Sequence, residues 1–140
     1  MTSAEDVESF LIHSRLPYEI IAEGTWVLHP ESAHNAQIVI KASPPIVLFS
    51  IQMFELSDDI KDREGLFRLL LELNGELLHA AYALQGGQVV LAGAQQLENL
   101  DINEFQAMVD DMCMALDTHF NRLAQLVAPG SKAAMAEGNV

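Results

Sequence analysis

The sequence predicts an α+β domain, an antiparallel sheet carrying helices in the order α-β-β-β-β-α-β-β-α. Three observations predict it. Near the start, middle and end of the chain, apolar residues recur at intervals of three and four, the period of an amphipathic helix. Between them lie segments that alternate apolar and polar residues or are rich in β-branched ones, as strands are. Gly24, Ser43-Pro44-Pro45 and Gly86-Gly87 separate those segments and supply the turn chemistry of neighbouring antiparallel strands. The chain has 140 residues, 50% of them hydrophobic, which suits one core, since domains commonly run to roughly 100–150 residues. Residues 1–128 read as that single domain and 129–140 as a flexible tail, small and polar after Pro129-Gly130.

Ser3 followed by Asp6 resembles a capping box, and Val7, Phe10 and Leu11 then fall at helical spacing, so a first helix is expected over about 4–15. Leu16-Pro17 ends it, because a residue preceding proline is pushed out of the helical region. Tyr18, Ile20 and Ala22 alternate with Glu19, Ile21 and Glu23, and Gly24 turns the chain into Thr25 to Leu28, which predicts a hairpin. After the polar loop from His29 to Asn35, the segment 36–41 carries Ile38, Val39 and Ile40 and reads as a strand. Ile46 to Leu56 is the longest strand candidate, with the apolar density of a central strand covered on one side by helices.

From Asp62 the period changes. Leu66, Phe67, Leu69, Leu70 and Leu73 form a stripe too wide for one neighbour, and Asn74-Gly75 is expected to close the helix with a left-handed residue. Part of that stripe calls for a cover beyond the sheet, and a second copy of the chain would serve. Leu77 to Gln85 and Gln88 to Gln95 flank Gly86-Gly87 as a second hairpin. Ala80, Ala81, Ala83, Ala92, Gly93 and Ala94 make it small enough for a helix to approach closely. Asp101 and Glu104 form a better capping box, and apolar positions from Ile102 to Val127 predict one long terminal helix.

Charge excludes whole classes of partner. Twenty acidic against seven basic residues give a formal charge of −13, which repels phosphate backbones and anionic lipid, so no nucleic-acid partner is expected. No run approaches the roughly 18 apolar residues of a membrane span. A single cysteine, Cys113, and an opening MTSAEDVESF without a basic n-region lead to the expectation of a cytoplasmic protein without an internal disulfide.

Catalytic and metal-binding patterns are weak. His29, Glu31 and His34 share a loop, yet lack the helical spacing of an HExxH site and any cysteine pair, and read as a solvated hairpin end. Asp110, Asp111 and Asp117 lack the spacing of a DDxxD cluster, Met114 standing where a carboxylate is needed, and read as a solvated face. Cys113 and His119, six apart on one predicted helix, project in different directions and do not form a nucleophile–base pair. His13 and His79 have no local acidic partner in register. Met108, Met112 and Met114 read as core. GxxxxGK, GxGxxG and GxSxG are all absent. No metal or cofactor is expected.

The segments Leu69-Leu70-Leu71-Glu72-Leu73-Asn74, Leu77 to Leu84, Gly86-Gly87-Gln88-Val89-Val90-Leu91 and Leu97-Glu98-Asn99-Leu100-Asp101 resemble the class I type III secretion chaperones of the CesT kind. Among their relatives, the YbjN-like proteins are the nearer match, and Trp26-Val27-Leu28 is loosely similar to the strand that opens their sheet. The resemblance implies a type III secretion chaperone-like fold and a non-enzymatic homodimer that holds a protein or peptide client against apolar patches. It implies a subunit interface at Leu66, Leu69, Leu70 and Leu73, and client contacts at Trp26, Leu28, Ile38 and Ile40. The doubled strand region before Trp26 departs from the chaperone pattern. Two other expectations stand beside this one: a YbjN-type regulatory or stress-response protein, differing only in whom it binds, and a small ligand-binding domain or enzyme using the sheet as a pocket floor.

Overall fold

The computed structural model describes residues 4–31 and 36–127. Its elements are α1 (Ala4–Ser14), β1 (Tyr18–Ala22), β2 (Thr25–Leu28), β3 (Ile38–Ser43), β4 (Ile46–Glu55), α2 (Arg63–Asn74), β5 (Ala81–Gln85), β6 (Gln88–Gln96), α3 (Ile102–Thr118) and α4 (Phe120–Val127). The α+β class and the order of strands and helices are those predicted; the expected tail and the Ser3 cap lie outside the described residues. The six strands form one antiparallel sheet in the order β1-β2-β3-β4-β6-β5.

β4 is central, and its side chains alternate as a strand covered on one face must. Val47, Phe49, Ile51 and Met53 are buried, whereas Leu48 and Gln52 are exposed. Phe49 meets Phe105 of α3 with ring centroids 5.4 Å apart, and Phe105 in turn meets Phe10 of α1 at 5.6 Å. Phe54 meets Phe120 of α4 at 5.2 Å. The same face of β6 carries Gly93, where an added Cβ would lie 2.7 Å from Met108 Cε and 3.1 Å from the His79 carbonyl. The expected close approach of helix to hairpin therefore occurs at Gly93. Ala81 and Ala83 instead sit on the exposed side.

Helix ends depart from the sequence reading in two places. Gly75 is not left-handed: its φ is −68°, in the right-handed region. The end of α2 tightens instead into successive i→i+3 bonds, from Gly75 N–H to Glu72 O, Glu76 N–H to Leu73 O and Leu77 N–H to Asn74 O, which satisfy the last carbonyls. The left-handed residue falls at the end of α1, at Arg15 (φ 61°), where Ser14 Oγ accepts the Leu16 N–H and donates to Leu11 O. The capping box of Asp101 and Glu104 is fully formed.

The expected long terminal helix is divided at His119 into α3 and α4. Backbone bonds run through the break, His119 N–H to Ala115 O and Leu123 N–H to His119 O, so i→i+4 bonding continues on both sides of it. α4 packs on α2. The second cover that the wide α2 stripe required is thus partly supplied within one copy.

Candidate functional site

Asp111 lies one residue from exposed Asp110, yet is buried. Its Oδ2 accepts backbone N–H groups from Leu78 at 3.1 Å, His79 at 2.7 Å and Ala80 at 2.9 Å. The solvated-face expectation fails for this residue. Segment 77–80 does not continue β5 as predicted but wraps the carboxylate, whose charge compensates three converging N–H dipoles. This leaves Leu78 outside, 85% exposed.

His119 is 0% exposed. Its Nδ1 is 2.9 Å from Tyr82 Oη and its Nε2 is 2.9 Å from Glu76 Oε1, so both ring nitrogens are partnered. Arg122 adds a longer contact, 3.9 Å, to the other Glu76 oxygen. Burial, then the charges of Glu76 and Asp111, push the Tyr82 hydroxyl well above the usual tyrosine range. The cluster joins the turn after α2, β5 and the junction of α3 and α4. No sequence spacing announced it, because residues 76, 82 and 119 meet only in the fold.

The other chemistry-bearing residues are dispersed. His29 pairs with Glu19 at 3.0 Å, and His34 lies outside the described residues. His13 Nδ1 donates to Ser9 O at 3.0 Å within its own helix, and His79 is exposed. Burial, reinforced by Asp110 and Asp117, raises the Cys113 thiol to about 11. Met108 and Met112 are core. Among the described residues no group of three or more His, Cys, Asp or Glu side chains is placed to hold a metal ion, and no helix is long and apolar enough to cross a membrane.

The residues expected at interfaces are mostly interior. Leu66, Leu70 and Leu73 are enclosed within one copy and Leu69 is half-buried, because the sheet and α4 cover that side of α2. Trp26, Leu28, Ile38 and Ile40 are likewise enclosed in the one hydrophobic core. The register explains it. Ile40 pairs with both Trp26 and Phe49, and Phe49 pairs with Gly93, so this row lies on the helix-covered face.

What one copy leaves uncovered lies elsewhere. On the outer side of α2, Phe67 is half-buried and Leu71 is 73% exposed; with Glu64, Arg68 and Glu72 they line a shallow open depression. At the far edge of the sheet, Ile20 and Ile21 are 60% and 53% exposed. The backbone there is open as well. His29 N–H bonds Pro17 O at 2.8 Å, and with Tyr18 opposite Leu28 the alternation of antiparallel pairs directs the N–H and C=O groups of Tyr18 and Ile20 away from β2.

Comparison with known proteins places this geometry. A chain of the heterodimeric ExoU–SpcU complex from the type III secretion system of Pseudomonas aeruginosa superposes with a TM-score of 0.63 at 19% identity, covering 88% of this chain and 98% of that one. YbjN from E. coli gives 0.58 at 15% identity, covering 81% and 88%. A chain of the HopA1–SchA chaperone–effector complex gives 0.56 at 13% identity, again covering 81% and 88%. At these identities the likeness is one of fold. No curated protein sequence matches significantly. The model of the CesT_Tir_1 family matches residues 1–129, nearly the whole chain, and the protein therefore belongs to that family.

Proposed function

We propose that this protein is a non-enzymatic, chaperone-like binding module that works as an acidic homodimer and holds an extended segment of another polypeptide. The observation that carries this reading is apolar surface left outside a single copy, including the outer side of α2 and the β1 edge. On α2 the subunit interface centres on Phe67 and Leu71, while half-buried Leu69 lies on the opposite flank of the helix. Leu66, Leu70 and Leu73 support that surface from within. At β1 the client adds a strand to the outward groups of Tyr18 and Ile20, and Ile20 and Ile21 contact its side chains on either face. Trp26, Leu28, Ile38 and Ile40 hold the strands beneath. The solved complexes of similar fold, ExoU–SpcU and HopA1–SchA, support a polypeptide partner. The net charge of −13 favours a client segment with basic residues.

The test is affinity capture from the native cytoplasm with the wild-type chain and with an Ile20→Lys/Ile21→Lys variant of unchanged circular dichroism. One polypeptide recovered with the wild type, lost with the variant, and slowing amide exchange at Tyr18 and Ile20 when added back is the expected result. Equal recovery by both chains would remove β1 from the binding site. Recovery of a secreted substrate or of a transcription factor distinguishes a secretion chaperone from a YbjN-type regulator.

A further inference from the structure

The two edges of the sheet are not equivalent, and the difference lies in one side chain. The β5–β6 hairpin turns through Gly86 and Gly87, with φ of 57° and 78°, and Gln85 pairs with Gln88. In a two-residue hairpin that closing pair is hydrogen-bonded. Alternation then makes Ala83–Val90 and Ala81–Ala92 the bonded pairs and leaves the N–H and C=O groups of Tyr82 and Leu84 pointing off the sheet.

Tyr82's two groups are taken. Its N–H donates to Asn74 Oδ1 at 2.7 Å, and Asn74 Nδ2 donates to its carbonyl at 3.4 Å. A carboxamide carries the same donor and acceptor as a peptide unit, so Asn74 makes the contacts that another strand would make. Among the described residues no other side chain bonds this edge. Its sequence AYALQ contains no charge and no proline, and Ala81, Ala83 and Leu84 are exposed, the composition of an edge open to pairing.

We propose that Asn74 is an edge guard: the last residue of α2 occupies the outward groups of Tyr82 in β5 and keeps a second copy of the chain from pairing there. At β1, by contrast, no side chain among the described residues bonds the outward groups of Tyr18 and Ile20. Strand pairing is thereby confined to β1. The guard acts whether or not a client binds at β1, so its test is independent of that reading.

The first measurement uses the wild-type protein. Amide exchange resolved at Tyr82 and Leu84 should find Tyr82 slower by about tenfold or more, the factor set by one well-formed hydrogen bond, although both amides face off the sheet. Equal exchange at the two would overturn the proposal. The second uses Asn74→Ala. Sedimentation velocity should reveal species larger than the wild-type state that grow with concentration and vanish when Ala83→Lys puts a charge on the edge. A cooperatively folded Asn74→Ala that keeps the wild-type sedimentation at every concentration would also overturn it. If Asn74→Ala does not fold, the wild-type exchange contrast decides alone.

Discussion

Asp111 was expected on a solvated face and Cys113, two residues on along α3, outside any nucleophile–base pair; the fold buries the first and half-buries the second. Asp111 is the single acceptor for three N–H groups of segment 77–80. Asp111→Ala should therefore destabilise the protein by about 3 kcal/mol, because bonds to a charged acceptor are lost and partly buried donors are left unmade. The check is a lowered urea midpoint at unchanged m; a loss below about 1 kcal/mol would mean that water replaces the carboxylate. Cys113 is pushed from 9.0 to about 11 by burial and then by Asp110 and Asp117. Its thiol should resist iodoacetamide at pH 8 while an unfolded control reacts, and reactivity should rise as pH approaches 11. The sign for stability follows. Between about pH 9 and 11 the unfolded chain releases a proton that the folded chain keeps, so rising pH favours unfolding across that window and this contribution flattens above it. A free thiol modified at pH 8 as fast as in the unfolded chain would contradict this.

At the scale of elements, strands were read well and helix ends poorly, for a physical reason. The strands announce themselves through β-branched alternation and Gly or Pro turns, which are local. The break at His119 and the right-handed Gly75 sit beside partners far along the chain: Tyr82 and Glu76 for His119, and Asp111, which holds the segment 77–80 that follows Gly75. Likewise Trp26, Leu28, Ile38 and Ile40 were expected at a client surface through the resemblance alone, and a strand's alternation gives two faces without saying which one the helices cover. Gly93 was legible as a site of close approach, and it supports a prediction at this scale. Gly93→Val should cost about 2 kcal/mol by overpacking against Met108 and the His79 carbonyl. Combined with Met108→Ala the cost should be smaller than the sum of the two single changes, as for residues in contact. Additive costs in a double-mutant cycle would place α3 further from the sheet than described.

For the whole molecule, acidity and the surplus of apolar side chains were evident in the sequence, but the location of the surplus was not. The stripe of α2 is wide enough for two neighbours, and α4 of the same copy takes one of those places. What remains is Phe67 and Leu71, a turn away from the leucines that the repeat of apolar residues emphasised. The proposed interface therefore moves around the same helix, and Phe67→Glu/Leu71→Glu should abolish it without unfolding the core, since neither residue is enclosed. Ile20 and Ile21 were visible as a short alternating strand, and only the sheet order, with β1 at one edge, marks them as exposed.

The most direct measurement is the mass in solution by light scattering coupled to gel filtration at micromolar to tens of micromolar protein. Surplus apolar surface on α2 predicts twice the 15.4 kDa of one chain for the wild type and 15.4 kDa for Phe67→Glu/Leu71→Glu. A wild-type chain that stays at 15.4 kDa throughout that range, or a double variant that still doubles, would contradict it.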